Sequence, residues 1–295
     1  MAYFTSPLDR RSFVRLGACA LGSAVLLAGC SGGQTAPAGS GAAAGSAPAD
    51  AAGDDTSAVA TGTLIVGFDQ SYPPYGFVGD DGEFTGFDLD LAQAVADKEG
   101  WEVQLEAIEW DAKDALLSSG AINCIWNGFT MEGREDDYTF SEPYMLNGQV
   151  VVVRADSGIT SFDDLAGATV ITQIDSAALD VLEGDQADLA ATFATLDTIG
   201  EYNTAFMQLE SGAVTAVACD LSIAEYQMAA NPDTYVQLPE MLSEEHYAVG
   251  FKKGDTATAD AVTEALRELV QDGTVEELCE KYADYGISFD NWVLA

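Results

Sequence analysis

Asn127-Gly-Phe-Thr-Met-Glu-Gly-Arg134-Glu-Asp-Asp-Tyr-Thr-Phe-Ser-Glu-Pro-Tyr144 follows a short apolar run, Ala121-Ile-Asn-Cys-Ile-Trp126. The order predicts a strand, a turn at Asn127-Gly128, then a polar segment able to start a helix. Arg134 stands out because the chain is overwhelmingly acidic, with 49 Asp and Glu against 11 Lys and Arg and a net charge of −38. A guanidinium presents a planar fork of donors that matches a carboxylate through two parallel hydrogen bonds. Backbone N–H groups at a strand-to-helix turn can add to such an anion site. The stretch reads as a clamp for the α-carboxylate of an amino acid. Taken alone, it favours an exposed Arg134 paired with Asp136 or Asp137, which would contribute little to stability. The rest of the chain shifts that balance.

On the amino-terminal side, Thr63-Leu-Ile-Val-Gly-Phe68 reads as a buried strand. Asp69 and Tyr72-Pro-Pro-Tyr75 follow as a loop whose prolines fix the backbone. Tyr72 is then a ring held in place, suited to stack on a ligand or to cover core. Phe87 to Val95 reads as a helix with Asp88 as N-cap and Gly100 as stop. Residues 103–108 alternate like a strand, Trp110 follows, and a helix ends at Gly120. Such alternation over short links predicts an α/β fold with a mostly parallel sheet. Ligands of such sheets sit beyond the carboxyl ends of strands. Asp69, Trp110 and the turn from Asn127 to Thr130 all follow strand ends, so they share one edge with Arg134.

The carboxy-terminal side continues in the same way. Residues 149–154 and 169–173 read as strands, the second running into a helix that starts near Ile174. The first turn of that helix offers N–H donors to an anion, or is simply capped by Ser176. A helix over residues 201–211 stops at Gly212, and a strand over 214–219 ends in Asp220. An acid there can accept the ammonium of an amino acid, cap the helix from Leu221, or do both. Residues 246–251 read as the last strand, before a helix from Thr258 and another begun by the capping box Thr274-Val-Glu-Glu277.

A length of 295 residues suggests one large or two modest domains. The acidic balance speaks against nucleic acid, whose phosphates require Lys and Arg, and against an electrostatic grip on anionic lipid. A single histidine, His246, speaks against a His-based metal centre or triad, so no metal and no cofactor is expected. Cys124, Cys219 and Cys279 are far apart, which favours buried free thiols over a disulfide framework. At the amino terminus, Arg10-Arg11-Ser-Phe-Val-Arg15 precedes an apolar stretch too short to span a bilayer. Leu27-Ala-Gly-Cys30 closes it and resembles a bacterial lipobox, in which the cysteine is acylated; the paired arginines resemble a twin-arginine export signal. Residues 1–30 are therefore expected to be a lipoprotein leader. Residues 31–60, rich in Gly, Ala and Ser, are expected to form a disordered tether. The body would lie outside the cytoplasm, lipid-anchored to the cell membrane through Cys30.

Further motifs run along the body in order: Val66-Gly with Asp69 and Tyr72-Pro-Pro, Gly86-Phe-Asp-Leu-Asp-Leu, Trp110, and Asn127-Gly with Thr130 and Arg134. Phe140-Ser-Glu-Pro-Tyr144, Asp164-Leu-Ala-Gly, Gln173 with Ser176-Ala-Ala-Leu-Asp, Tyr202-Asn-Thr-Ala through Leu209-Glu-Ser-Gly, Ala218-Cys-Asp220, Phe251-Lys-Lys-Gly-Asp and Asp272-Gly-Thr complete them. In this order and spacing, residues 61–285 resemble the solute-binding lipoproteins of polar amino acid ABC transporters, extracellular solute-binding family 3. The resemblance implies a type II periplasmic-binding-protein-like fold, with two α/β lobes, two hinge crossings and a ligand in the interlobe cleft. It implies lobe 1 at residues 61–153 and 249–295 and lobe 2 at residues 154–248, with crossings near 152–154 and 249–251. Arg134 and the turn at Gly128, Phe129 and Thr130 would hold the α-carboxylate, completed by Ser176 and Ala177. Tyr72 and Trp110 would form aromatic walls, Asp220 would take the α-ammonium, and Asp69 would meet the ligand side chain. Asn127 and Gln173 fall within the same motifs and join the expected ligand set. The sequence departs from the common pattern at Glu132, where Thr is frequent, and at Asp175, where Gly is frequent.

The implied protein is a monomer that hands a polar amino acid to ABC permease subunits, with cystine, glutamine and basic amino acids as candidate ligands. A zwitterion cannot be buried unless both charges are compensated, and Arg134 and Asp220 can do so only when the lobes meet. Two other readings share the fold: a dehydratase-type enzyme, using Asp69, Glu132 or Asp175 as acid or base, and a sensing module for a membrane receptor.

Overall fold

The apolar runs become strands of two five-stranded sheets. The first has the order Glu102–Ala107, Thr63–Phe68, Cys124–Ile125, Gly250–Lys252, Tyr138–Phe140. Thr63–Phe68 is parallel to both neighbours, whereas Gly250–Lys252 is antiparallel to both of its own. The second has the order Thr195–Ile199, Thr169–Gln173, Ala216–Asp220, Met145–Arg154, Tyr235–Tyr247. Here Thr169–Gln173 is parallel to its neighbours and Met145–Arg154 antiparallel. Both sheets are thus mixed, less uniformly parallel than expected. This computed structural model describes residues 56–295; the leader, Cys30 and most of the tether lie outside the described residues.

Helices cover the sheets as their apolar stripes dictate. Phe87–Glu99 buries Phe87, Leu91, Ala92 and Val95, and Gly100 ends it in the left-handed conformation at φ 71°, donating its N–H to the Ala96 carbonyl. Thr256–Gln271 buries Ala259, Val262, Leu266 and Leu269. Each fully buried Leu or Val contributes about 1.5–3 kcal/mol relative to exposure. Cys124, Cys219 and Cys279 are free thiols in this interior. Burial pushes the Cys279 thiol up to about 12, so it stays protonated.

The chain changes sheet twice, along two strands that run side by side. Tyr138–Phe140 still belongs to the first sheet, and Gln149 already pairs with Asp220 in the second. On the return, Met145, Leu146 and Asn147 pair with Tyr247, His246 and Glu245, and Gly250 rejoins the first sheet. The outward change of sheet therefore precedes Gln149, earlier than the crossing expected near residues 152–154. Val150 to Val153 are all buried in the second sheet, which holds them there.

Several local expectations give way to tertiary context. Asp88 is not the N-cap; Gly86 is, and Asp88 sits in the first turn, fully buried. Its carboxylate accepts the Gly128 N–H at 2.6 Å and the Tyr144 hydroxyl at 2.8 Å. No helix follows Asn127-Gly128: residues 131–137 form turns, interrupted by Gly133 at φ 79°. Tyr235–Tyr247 is a 13-residue strand, although only its last two residues had a strand pattern. Residues 56–60, assigned to the tether, belong to the body. Ser57 caps the Ala58–Thr61 helix, Ala58 is buried, and the Thr56 carbonyl accepts from Asn123 Nδ2 at 3.1 Å.

Candidate functional site

Strand ends of the two sheets face each other across a small cavity of about 20 Å³. Tyr72, Trp110, Asn127, Gly128, Thr130 and Arg134 line it on the side of the first sheet, from loops, a short 3-10 helix and a small hairpin strand. Gln173, Ser176, Ala177 and Asp220 line it from the second. That free space is roughly what one water needs, so the polar groups of the two sides already stand close together. Larger hollows of about 500 and 610 Å³ lie elsewhere, around Lys252 and Lys253 and around Glu142 and Arg267. Those side chains are exposed or half-exposed, whereas the small cavity is where buried polar groups converge.

At the rim, groups of the first sheet grip the second. Asp175 adopts the left-handed conformation at φ 54°, which aims its carbonyl back across the cleft and explains why Gly suits this position. That carbonyl accepts from Trp110 Nε1 at 3.1 Å and from Arg134 Nη2 at 3.3 Å. Arg134 Nη2 also donates to Asp180 Oδ2 at 2.8 Å, and the guanidinium lies 5.1 Å from the Phe129 ring centroid. Both polar contacts use Nη2; Nε and Nη1 have no protein partner among the described residues. Arg134 thus pairs with neither Asp136 nor Asp137. Lys113, almost wholly buried over Trp110, reaches the Asp175 carboxylate at 3.6 Å. Burial lowers its pKa, and the Arg134 charge lowers it further.

The floor is acidic. Asp220 occupies the N-cap position of the Leu221–Ala230 helix, yet its side chain makes no cap hydrogen bond. It turns inward, where its Oδ1 accepts from Asn147 Nδ2 at 3.1 Å, Gln149 Nε2 at 2.8 Å and Tyr247 Oη at 2.9 Å. Glu245 lies beside it, and its Oε1 accepts from the same two amides at 2.7 Å each and from Thr130 Oγ1 at 2.9 Å. Burial raises the pKa of both acids, to about 7 for Glu245, where the Asp220 charge adds to the effect. Every donor to the pair is uncharged. Burying two carboxylates without a cation is costly, so the floor is built to receive positive charge.

The remaining expected residues have definite places. Asn127 borders the cavity; its Oδ1 accepts the Asp69 N–H at 2.9 Å, while its buried Nδ2 has no partner among the described residues and lies against Gly76. The Gly128 N–H is committed to Asp88, away from any ligand. Ser176 Oγ caps the Ala177–Glu183 helix through the Leu179 N–H at 3.2 Å, and still borders the cavity. Two expected residues do not reach it. Asp69 is bonded across the cleft to Gln173 Nε2 at 2.7 Å, and Phe129 is buried against Trp110, Tyr138 and Phe140. Asp69 Oδ1 accepts the Ser71 N–H, so both of its oxygens are occupied within the protein. Lys113, Asn147, Gln149, Glu245 and Tyr247 went unread in the sequence. Asn147 and Gln149 are two apart on one strand and therefore on one face, which was a legible signal; Glu245 carried none without its strand register.

Residues 64–285 match the model of the bacterial extracellular solute-binding proteins, family 3. The L-cystine-binding protein TcyJ of Escherichia coli K12 is 32% identical over 224 residues, spanning 75% of this chain and 82% of that protein. The arginine-binding extracellular protein ArtP of Bacillus subtilis is 28% identical over 222 residues, 74% of this chain and 85% of its own length. Among solved structures, an ABC uptake transporter substrate-binding protein from Streptococcus pneumoniae with bound histidine superposes with a TM-score of 0.74 at 32% identity. It covers 77% of this chain and 95% of its own. The two facing sheets are the two lobes of the type II periplasmic amino acid-binding fold that these neighbours have. The chain therefore belongs to the bacterial extracellular solute-binding proteins of family 3.

Proposed function

We propose that the chain captures a polar amino acid as a zwitterion between its lobes, outside the cytoplasm, and delivers it to an ABC importer by lobe closure. The carrying observation is a guanidinium with two unpartnered nitrogens at one end of a small cavity and a buried acid bonded only by neutral donors at the other. The α-carboxylate seats on Arg134 Nε and Nη1 with the Asn127 amide and the Ser176 helix start nearby. The α-ammonium seats on Asp220. Tyr72 and Trp110 flank the ligand, and Thr130 lies against the floor. Asp69, Gln173 and Phe129 act as supports, the first two by tying the lobes together. Closure follows from contacts that only the closed state offers.

The lobes divide where the strands change sheet, lobe 1 comprising residues 56–140 and 250–295 and lobe 2 residues 149–244. Family membership sets aside the dehydratase reading, because these are binding proteins. Cystine, glutamine and the basic amino acids remain the ligand set, with the acidic floor favouring ligands rich in ammonium or guanidinium charge. In the cell the body is a monomer held to the membrane by acylated Cys30.

Thermal-shift screening of the twenty amino acids with cystine and ornithine tests the function, followed by calorimetry on Arg134→Ala. A polar amino acid should raise the melting temperature of the wild type, and Arg134→Ala should show no measurable binding. Unchanged affinity in that variant refutes the clamp.

A further inference from the structure

We propose that Asp220 and Glu245 share one proton while the cleft is empty and release it to solvent when an ammonium seats on Asp220, so that amino acid capture is proton-linked. The inference rests on the reading of Asp220 as the ammonium acceptor and assigns Glu245, which does not touch the cavity, a part in setting the charge of the site.

The arrangement is built by strand register. Asp220 is paired with Gln149, and Glu245 with Asn147, on three adjacent strands. Each amide –NH₂ has two hydrogens and spends one on each acid: Asn147 at 3.1 and 2.7 Å, Gln149 at 2.8 and 2.7 Å. Two acceptors bridged by one –NH₂ lie roughly 5 Å apart. Carboxylates this close and out of water do not ionise independently. Thr130 and Tyr247 donate the remaining bonds, and neither carries charge. The titratable groups packed around Asp220 are Tyr72, Tyr75, Tyr202, Tyr247 and Cys219, all held protonated by burial. Glu225 lies on the adjacent helix, and the His246 ring is engaged by Glu132. Arg134 shares the cavity but is bonded to the Asp175 carbonyl and Asp180. No cation bonds the pair among the described residues. The burial that raises Glu245 to about 7 agrees with a proton retained at neutrality.

In the capture step the acid O–H of the pair breaks and its proton goes to water. The ligand's ammonium then donates N–H to Asp220, so the pair passes from one negative charge to two and gains one positive neighbour. Calorimetry with L-arginine, and with L-cystine as second probe, in buffers of different ionisation enthalpy at about pH 6.5, reads the released proton. The expected result is close to one proton released per binding event and an affinity that increases about tenfold for each unit by which pH is raised toward neutrality. Glu245→Gln, isosteric with the protonated acid, should bind with both effects lost. Binding whose heat is independent of buffer, or equal proton release by Glu245→Gln, overturns the proposal while leaving amino acid capture intact. If neither probe binds, the amino acid selected by the thermal-shift screen replaces them; if the screen selects none, the capture reading fails, and the shared proton is read in the empty protein by carboxyl ¹³C NMR. A glutamate side-chain carboxyl that titrates near neutrality, distinct in shift from the aspartate signal of Asp88, should vanish in Glu245→Gln; its absence from the wild type overturns the proposal.

Discussion

The rim and the floor of the cleft use charge in opposite ways. At the rim, Lys113 and Arg134 of one lobe meet Asp175 and Asp180 of the other, so the protein supplies both signs itself. At the floor, Asp220 and Glu245 receive only neutral donors, and the positive partner must come from outside. The rim pairs have half-exposed or exposed acids, where an ion pair contributes about 0–1 kcal/mol. Floor charges are buried, where an unmatched one costs several kcal/mol. Under the zwitterion capture proposed above, rim contacts bias closure gently and the floor makes closure depend on a ligand.

That contrast is broken most severely at the floor. Asp220→Asn should lower amino acid affinity by about 2–5 kcal/mol, as for loss of a buried charge partner, read by calorimetry. A loss below about tenfold would mean that the ammonium does not seat there. The next effect concerns stability against pH. Glu245 has a pKa of 4.5 as a free side chain and about 7 in the fold, so the folded state holds the proton more tightly. Its contribution is full below about pH 4.5 and is lost as pH rises through 7. Thermal unfolding of the empty protein should thus lose several degrees over that window relative to Glu245→Gln. Parallel curves for the two proteins would contradict this. Asp88, also raised to about 7 by burial, adds a loss of the same sign that both proteins share.

Rim changes should be milder. Trp110→Phe removes the indole bond to the Asp175 carbonyl and should weaken binding by about 0.5–1.5 kcal/mol. Asp175→Gly keeps the left-handed conformation and the carbonyl acceptor while deleting the carboxylate that faces Lys113. Its affinity should change by less than about 1 kcal/mol. A larger loss from Asp175→Gly than from Trp110→Phe would show that the rim works through its charges and not through the carbonyl.

How far these regions were legible follows the range of the interactions that make them. Asn127-Gly128, Trp110 and Asp220 announce themselves because each ends an apolar run, and strand ends share an edge. Arg134 was legible through its rarity in an acidic chain. Asp88 was misread, since an acid at a helix start has a local explanation, and its real partners, Gly128 and Tyr144, are 40 and 56 residues away. The Tyr235–Tyr247 strand was mostly hidden by Pro239, its acids and two register shifts between Gln237 and Ser243. With that strand unseen, Glu245 had no face and no neighbour, and half of the floor was invisible. Asp69 was placed on the correct edge, but only the fold reveals that Gln173 occupies its carboxylate.

The most direct measurement is a crystal structure of the protein grown with the amino acid that the thermal-shift screen selects. The α-carboxylate should lie on Arg134 and the α-ammonium on Asp220, each at about 2.7–3.2 Å. A ligand bound with its ammonium away from Asp220, or in a hollow outside the space between the lobes, would contradict the zwitterion trap.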